Sequence, residues 1–383
     1  MQFELDIIKV VPPGDGFGYY EGKAVFVPAT SPGDRVRVFS LRENRGTISA
    51  ALQEVLSPSP DRIEPPCPHY SQCGGCSLMH LDYKQQLELK RRMLIEVLEN
   101  QGIQWDPQVV PSSEMTRYRH KTRVRCVDGQ LGFSERQSNR IVEIPECQIL
   151  TEGILSTLKR LSQLGRSHAE FQLLQSCKTG EVAVSILEGK QLVPLPGYEQ
   201  SIEEDYGSGP LVLHSHGFAQ SNPFITTAII EDLQHHAMDS GPICELFCGC
   251  GTFSLALAAF TPRLIGYDIS PLSIQTAQET LQRQNLDHVE FAAINLNKLM
   301  ELPAADVIVA DPPRKGLGQH LCRLISRSKA RKLLYVSCNP VSLARDIREL
   351  TGQGGFELVE MKGYDMYCHA THLEAMAVLV RQV

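Results

Sequence analysis

Several features that would narrow the function of this 383-residue chain are missing from it. The opening MQFELDIIKV has no basic segment leading into an apolar run, so no signal peptide is read. No apolar stretch approaches the roughly 20 residues that cross a bilayer, and the expected location is the cytoplasm. Internal repeats and low-complexity tracts are also missing. The chain lacks a basic excess too, with a formal net charge of -7. That sum argues at face value against a nucleic-acid partner, but such binding depends on local patches rather than totals. One patch stands out: Arg117, Arg119, His120, Lys121, Arg123 and Arg125 fall within nine residues. Alternation through RYRHKTRVR reads as a strand with its basic side chains on one face. A charged strand edge that deters aggregation fits the same pattern.

What is present is ample apolar material, 42% of residues, enough for two or three domains with buried cores. Twelve cysteines are many for a reducing compartment. A disulfide framework is not expected there, which leaves metal ligation or thiolate chemistry.

Residues 1–57 read as a small β domain of short β-rich runs punctuated by Gly and Pro. The proline-dense SPSPDRIEPP reads as a linker, and the cysteine loop follows within residues 58–82. Tyr83 to Gly102 reads as a helix with Leu87, Leu94 and Leu98 on one face. The segment to about 210, mostly strand-like, makes a middle unit of 83–210. From 211 to 383 strands and helices alternate, implying a mostly parallel sheet with helices on both faces.

ELFCGCGTFSLALA is a strand, a glycine loop and a helix start, in which Gly249 and Gly251 allow close approach of a ligand. Asp268 closes the next strand, where a carboxylate can accept from both ribose hydroxyls of an adenosine cofactor. The loop has no third glycine at the dinucleotide offset, so a pyrophosphate ligand loses ground to S-adenosylmethionine. Three more motifs stand at strand ends of the same unit: ADPPRKGL with Asp311, VSCNP with Cys338, and HLEAM with Glu374.

Taken in order, FAQSN, LFCGCGTF, DPPRKGL, YVSCNP and HLEAM resemble the RNA uracil-C5 methyltransferases. The similarity spans essentially the whole chain. It implies a Rossmann-like α/β methyltransferase domain, an N-terminal TRAM-type β-barrel that binds RNA, and a middle β-rich domain with an iron-sulfur site. It assigns Cys338 as nucleophile and Glu374 as base. Gln220 resembles the family's glutamine that contacts cofactor and base. Phe247 and Thr252 match cofactor-side positions of the glycine loop, and Asp311 is expected to touch the uracil edge or the cofactor. Cys368 stands where related sequences often carry proline. The chemistry calls for this set: a thiolate adding to C6 activates C5, and a base must then remove the C5 proton.

Cys67-x5-Cys73-x2-Cys76 puts three thiols on one loop, and by resemblance Cys147 is the fourth ligand. Spacing alone leaves zinc and an iron-sulfur cluster open, and the resemblance implies [4Fe-4S]. Radical chemistry would need C-x3-C-x2-C, which is not the spacing here. The implied partner is RNA, with 23S ribosomal RNA favoured and a tRNA uridine as the alternative. A non-catalytic RNA-binding module is a further alternative. An amino-group methyltransferase fits less well, because Arg314 stands where its DPP motif would carry an aromatic ring.

Overall fold

The computed structural model describes residues 1–238, 240–352 and 354–382. Alternating segments first build a curled sheet. Its strands are β1 (Gln2–Asp6), β2 (Lys9–Val11), β3 (Asp15–Tyr20), β4 (Lys23–Pro28), β5 (Arg35–Asn44) and β6 (Thr47–Ser57). They lie in the order β1-β5-β6-β4-β3-β2. The period of two turns Phe3, Leu5, Val25, Val27, Val36 and Val38 into a core of its own. The curl brings β3 close to the end of β1, and the Ile8 N–H just before β2 donates to the Phe17 carbonyl at 2.8 Å. A Cβ on Gly18 would collide with the Asp6 carbonyl, so glycine there permits the close approach.

After the irregular cysteine loop comes α1 (Tyr83–Glu99), capped by the Asp82 side chain, which accepts from the Lys84 N–H at 2.9 Å. Its buried positions are Gln86, Lys90, Leu94 and Leu98. The leucine reading found half of that face and missed that two polar side chains share it; Leu87 lies at the margin.

β7 (Gln108–Val110) leaves for the C-terminal sheet, and the chain then builds its middle sheet. β8 (Lys121–Val127), β9 (Gln130–Ser134), β10 (Ile141–Glu143), α2 (Glu152–Ser162), β11 (His168–Gln175), β12 (Val182–Glu188) and β13 (Gln191–Pro194) follow in turn. The strand order is β10-β9-β8-β11-β12-β13, all antiparallel. The strand expected across RYRHKTRVR starts only at Lys121. Arg117 has a left-handed φ of 54°, which breaks the extended chain before it. From Lys121 onward Thr122, Val124 and Cys126 point into the core, while Lys121, Arg123 and Arg125 take the other face.

A short hairpin, β14 (Ser201–Glu204) and β15 (Leu211–His214), leads to α3 (Pro223–Ala237). The last unit comprises β16 (Ile243–Leu246), α4 (Thr252–Leu257), β17 (Leu264–Asp268), α5 (Pro271–Gln284), β18 (Val289–Ala293) and β19 (Val307–Ala310). It continues through α6 (Gly318–Arg327), β20 (Lys332–Ser337), α7 (Pro340–Gly352), β21 (Phe356–Tyr364) and β22 (Glu374–Arg381). The eight-stranded order is β18-β17-β16-β19-β20-β22-β21-β7. The first five strands are parallel, and β22 runs against both neighbours. Being buried on both faces, the central strands read as continuous apolar runs. Val307 and Val309 enter one core, Ile308 and Ala310 the other. α1 seals the second core with Leu94 and Leu98, both 0% exposed; each such leucine contributes about 1.5–3 kcal/mol. Strand order reverses between β16 and β19, which opens the crevice where ligands of such sheets bind. Among the described residues no helix is long and apolar enough to cross a membrane.

Candidate active site

A cavity of about 990 Å³ lies at the carboxyl ends of these strands, within the size range of small-molecule sites. Gln220, Phe247, Asp268, Asp311, Cys338 and Glu374, drawn from over 150 residues of sequence, all line it. Thr252 does not. It starts α4 behind the glycine loop, with its hydroxyl 3.5 Å from Cys250 Sγ.

The glycine loop turns after β16 through three left-handed residues, Phe247 (φ 64°), Gly249 (55°) and Gly251 (84°). A Cβ at Gly251 would stand 2.9 Å from the Phe291 ring, so this glycine serves packing as well as φ. Gly249 faces open space. Its N–H donates to Asp268 at 3.1 Å, and the Ser270 N–H donates to the other oxygen at 2.8 Å. Asp268 therefore ties the two loops together while each oxygen keeps a lone pair toward the cavity. A nucleoside cofactor fits this wall: carboxylate, exposed glycine backbone, and the apolar Ile269 and Leu296 beside the polar Asn295.

Gln220 is aimed by its neighbours. Asn222 caps α3, accepting from the Phe224 and Ile225 N–H groups at 3.1 and 3.3 Å, with Pro223 as the first helical residue. His120 Nε2 holds the Gln220 carbonyl at 2.9 Å, and the Gln220 amide donates to Asp311 at 3.3 Å. Asp311 directly follows β19, where burial pushes its carboxyl up to about 7, against the Gln220 hydrogen bond.

Cys338 follows β20 and stands just before α7, a helix N-terminus that favours a thiolate. Here the opposite influences win. Burial, then the Glu374 and Asp311 carboxyls, push the thiol up to about 11, against Arg314 and a backbone hydrogen bond that pull it down. Glu374 opens β22, 5% exposed. Burial and then Asp311 hold its carboxyl well above the usual range, again opposed by Arg314. Three acids thus share one poorly solvated pocket and cannot all be charged together. Asn339 fixes the arrangement by donating to the Arg314 carbonyl at 2.7 Å.

Sequence reasoning passed over Arg314 as a site residue, along with Tyr367 and His372. Arg314 was legible in DPPR. The others had no local signal, because the loop that aims Tyr367 and His372 is shaped by distant contacts. The Cys248 and Cys250 thiols are buried and belong to the core behind the glycine loop.

The four cysteines of the proposed cluster line one small cavity together: Cys67, Cys73, Cys76 and Cys147. Burial raises the Cys73, Cys76 and Cys147 thiols, and the cysteines raise one another. Three such thiols crowded beside a fourth cysteine suit a cationic guest. Arg136 donates to the Cys76 carbonyl at 2.8 Å, and Arg117 to that of Cys147. A second group that could hold a metal is His120, Cys177 and Glu204, with ligand atoms within 4.8 Å of one another. Glu204 there already accepts from the Cys177 and Asp205 N–H groups at 2.8 and 3.0 Å, and its carboxylate faces His120 at 3.5 Å. Hydrogen bonding thus accounts for this group without an ion.

The basic patch is divided. Arg117 pairs with Glu152 at 2.7 Å, and Lys121 donates to the Gly217 and Ala219 carbonyls. Arg119 lies between the Phe133 and Tyr367 rings and lines both the large cavity and a neighbouring groove of about 480 Å³. Arg123 lines that groove too.

A methyltransferase-domain family model matches residues 238–363. The chain is 30% identical to the 23S rRNA (uracil(1939)-C(5))-methyltransferase of Alkalilimnicola ehrlichii, over 99% of this chain and 97% of that one. An uncharacterized RNA methyltransferase of Halalkalibacterium halodurans is 28% identical over 98% and 96%. Among solved structures, the tRNA (uracil-54, C5)-methyltransferase of Pyrococcus abyssi, in complex with S-adenosyl-L-homocysteine, superposes with a TM-score of 0.81. It is 25% identical, with 99% of this chain and 100% of that chain covered. The chain belongs to the S-adenosylmethionine-dependent RNA (uracil-C5)-methyltransferases.

Proposed function

We propose that this enzyme converts a uridine of tRNA to 5-methyluridine through a covalent adduct on Cys338, with Glu374 as the base. The tRNA target is carried by one observation, the whole-length likeness to the Pyrococcus abyssi tRNA (uracil-54, C5)-methyltransferase. It replaces the preference for 23S ribosomal RNA drawn from the sequence. That second reading retains one specific support, the 30% identical relative named for a 23S rRNA uracil.

Asp268, the glycine loop and Phe247 would hold S-adenosylmethionine, which supplies an electrophilic methyl group on its sulfonium. Deprotonated Cys338 Sγ bonds to C6 of the uracil, and the C5=C6 π pair moves onto C5 and O4, making C5 nucleophilic. After methylation C5 carries a proton to be lost. The Glu374 carboxylate takes it, C5=C6 re-forms, and Sγ leaves with the pair of the C6–S bond. Burial suits Glu374 to this task, since a poorly solvated carboxylate is the stronger base. Gln220 and Asp311 form a hydrogen-bonded pair that can meet the uracil edge. The base must leave its stack to reach Cys338. Cys67, Cys73, Cys76 and Cys147 would hold a [4Fe-4S] cluster with a structural role.

Mass mapping of 5-methyluridine in separated tRNA and ribosomal RNA from a strain lacking the protein decides the target. Loss confined to 23S RNA overturns the tRNA reading. With 5-fluorouridine RNA, Cys338→Ala should abolish the covalent complex, and Glu374→Gln should accumulate a methylated adduct on natural RNA. Turnover by Cys338→Ala removes that residue from its role.

A further inference from the structure

The segment between β21 and β22, residues 365–373, forms no helix or strand, yet it brings Tyr367, Cys368 and His372 to the cavity and ends on Glu374. Such a loop wanders unless it is tied down. His369 at its middle has a left-handed φ of 66°, a conformation that persists in a non-glycine residue only when the surroundings enforce it.

The enforcement comes from one face of α1. Tyr83, Gln86 and Lys90 recur at the three- and four-residue steps of a helix face, and all three reach this loop. The Tyr83 hydroxyl donates to Asp365 at 2.8 Å. Lys90 makes an ion pair with Asp365, both fully buried, and donates to the Tyr367 carbonyl at 2.9 Å. Gln86 accepts from the His369 N–H at 3.1 Å, while its amide lies 3.2 Å from the His369 ring. Leucines at these positions would have sealed the core more simply. A buried ion pair adds little stability over apolar packing, but it selects one arrangement of the chain. From the other side the Ser77 and Leu78 N–H groups, next to Cys76, donate to the His369 carbonyl at 2.8 and 2.9 Å.

We propose that the Tyr83–Gln86–Lys90 face of α1 is a positioning device for the base: it sets the loop that delivers Glu374 to C5 of the bound uracil. These are positioning residues, since none of the three lines the cavity. The inference rests on the assignment of Glu374 as base.

Tyr83→Phe and Gln86→Leu test it; both are mild enough for folding to be checked by melting. Cofactor affinity should be unchanged, because the glycine loop and Asp268 lie elsewhere in the cavity, and KM for RNA should hold. kcat should fall by about ten- to hundredfold, the scale of a misplacement near 1 Å, and methylated covalent RNA adduct should build up during turnover. Normal kcat without adduct overturns the proposal. So does a loss of kcat that comes only with lost melting stability and lost cofactor binding. Glu374→Gln, run beside them, separates the two claims. Adduct there but not in the helix variants overturns the positioning role alone. No methylated adduct in Glu374→Gln overturns the base assignment itself.

Discussion

Single carboxyls in this protein are governed by what surrounds them, and Glu245 is the clearest case. It lies on β16, 1% exposed, where burial pushes it up to about 8 despite a hydrogen bond from the Ser254 hydroxyl. The folded state therefore keeps a proton that the unfolded chain releases near pH 4.5. Its favourable contribution is complete below that pH and is lost as pH rises to about 8, by up to about 1.4 kcal/mol per unit. Asp311 and Glu374, raised mainly by burial, act in the same direction. Glu245→Gln keeps an acceptor for Ser254 and removes the titration. Its melting temperature relative to wild type should rise steadily between about pH 5 and pH 8. A difference that stays flat across that range would mean Glu245 is not held protonated by the fold.

Among the elements, the irregular loop around Cys67–Cys76 is where the proposed cluster can be tested. Its three cysteines are half-buried against the middle sheet beside Cys147, and the loop has no regular ladder of its own. Arg117 and Arg136 hold the carbonyls of Cys147 and Cys76. Protein purified without oxygen should carry about four irons with matching sulfide, as expected for a cluster held by four thiolates. Cys147→Ser should release the iron and lower the melting temperature. Stoichiometric zinc without iron would replace the cluster by a zinc site. Because Ser77 and Leu78 follow directly and grip His369, iron loss should also loosen the base-bearing loop.

At the scale of the whole molecule, an acidic chain binds an acidic polymer by keeping a few cations on one face. On β8 the side chains of Arg123 and Arg125 share the face opposite the core. Arg123 reaches the Gln172 and Glu170 side chains at 2.8 and 3.5 Å and Arg125 the Ser134 hydroxyl at 3.4 Å, whereas Arg117 and Lys121 are turned inward onto main-chain carbonyls. Replacing Arg123 and Arg125 together by Ala should flatten the dependence of log affinity for RNA on log salt by about 1 to 1.5, at roughly 0.7 per single-stranded phosphate contact. Arg117→Ala should leave the slope alone, and cofactor affinity should stay constant in all variants. Filter binding at several salt concentrations measures this. An unchanged slope in the double variant would move the RNA track off β8.

Local chemistry made the α/β unit readable from sequence, because each signal there sits within one strand-loop-helix step. A glycine pair forces the left-handed turn, a carboxylate ends the next strand, and Cys338 and Asp311 follow apolar strands whose ends must meet at the switch point. The packing of α1 and β7 on the C-terminal sheet was not legible, since β7 pairs with β21 some 250 residues later in the chain. Nor was the polar face of α1, because Gln86 and Lys90 look solvated until Asp365 and His369 arrive from the far end. Arg117 and Arg123 look equivalent in a run of basic residues, and a positive φ that turns Arg117 onto the Cys147 and Leu150 carbonyls separates their roles. Residue identity alone determined which groups can do the chemistry. Their charge states and aim were decided by tertiary structure, because burial and long-range partners set both.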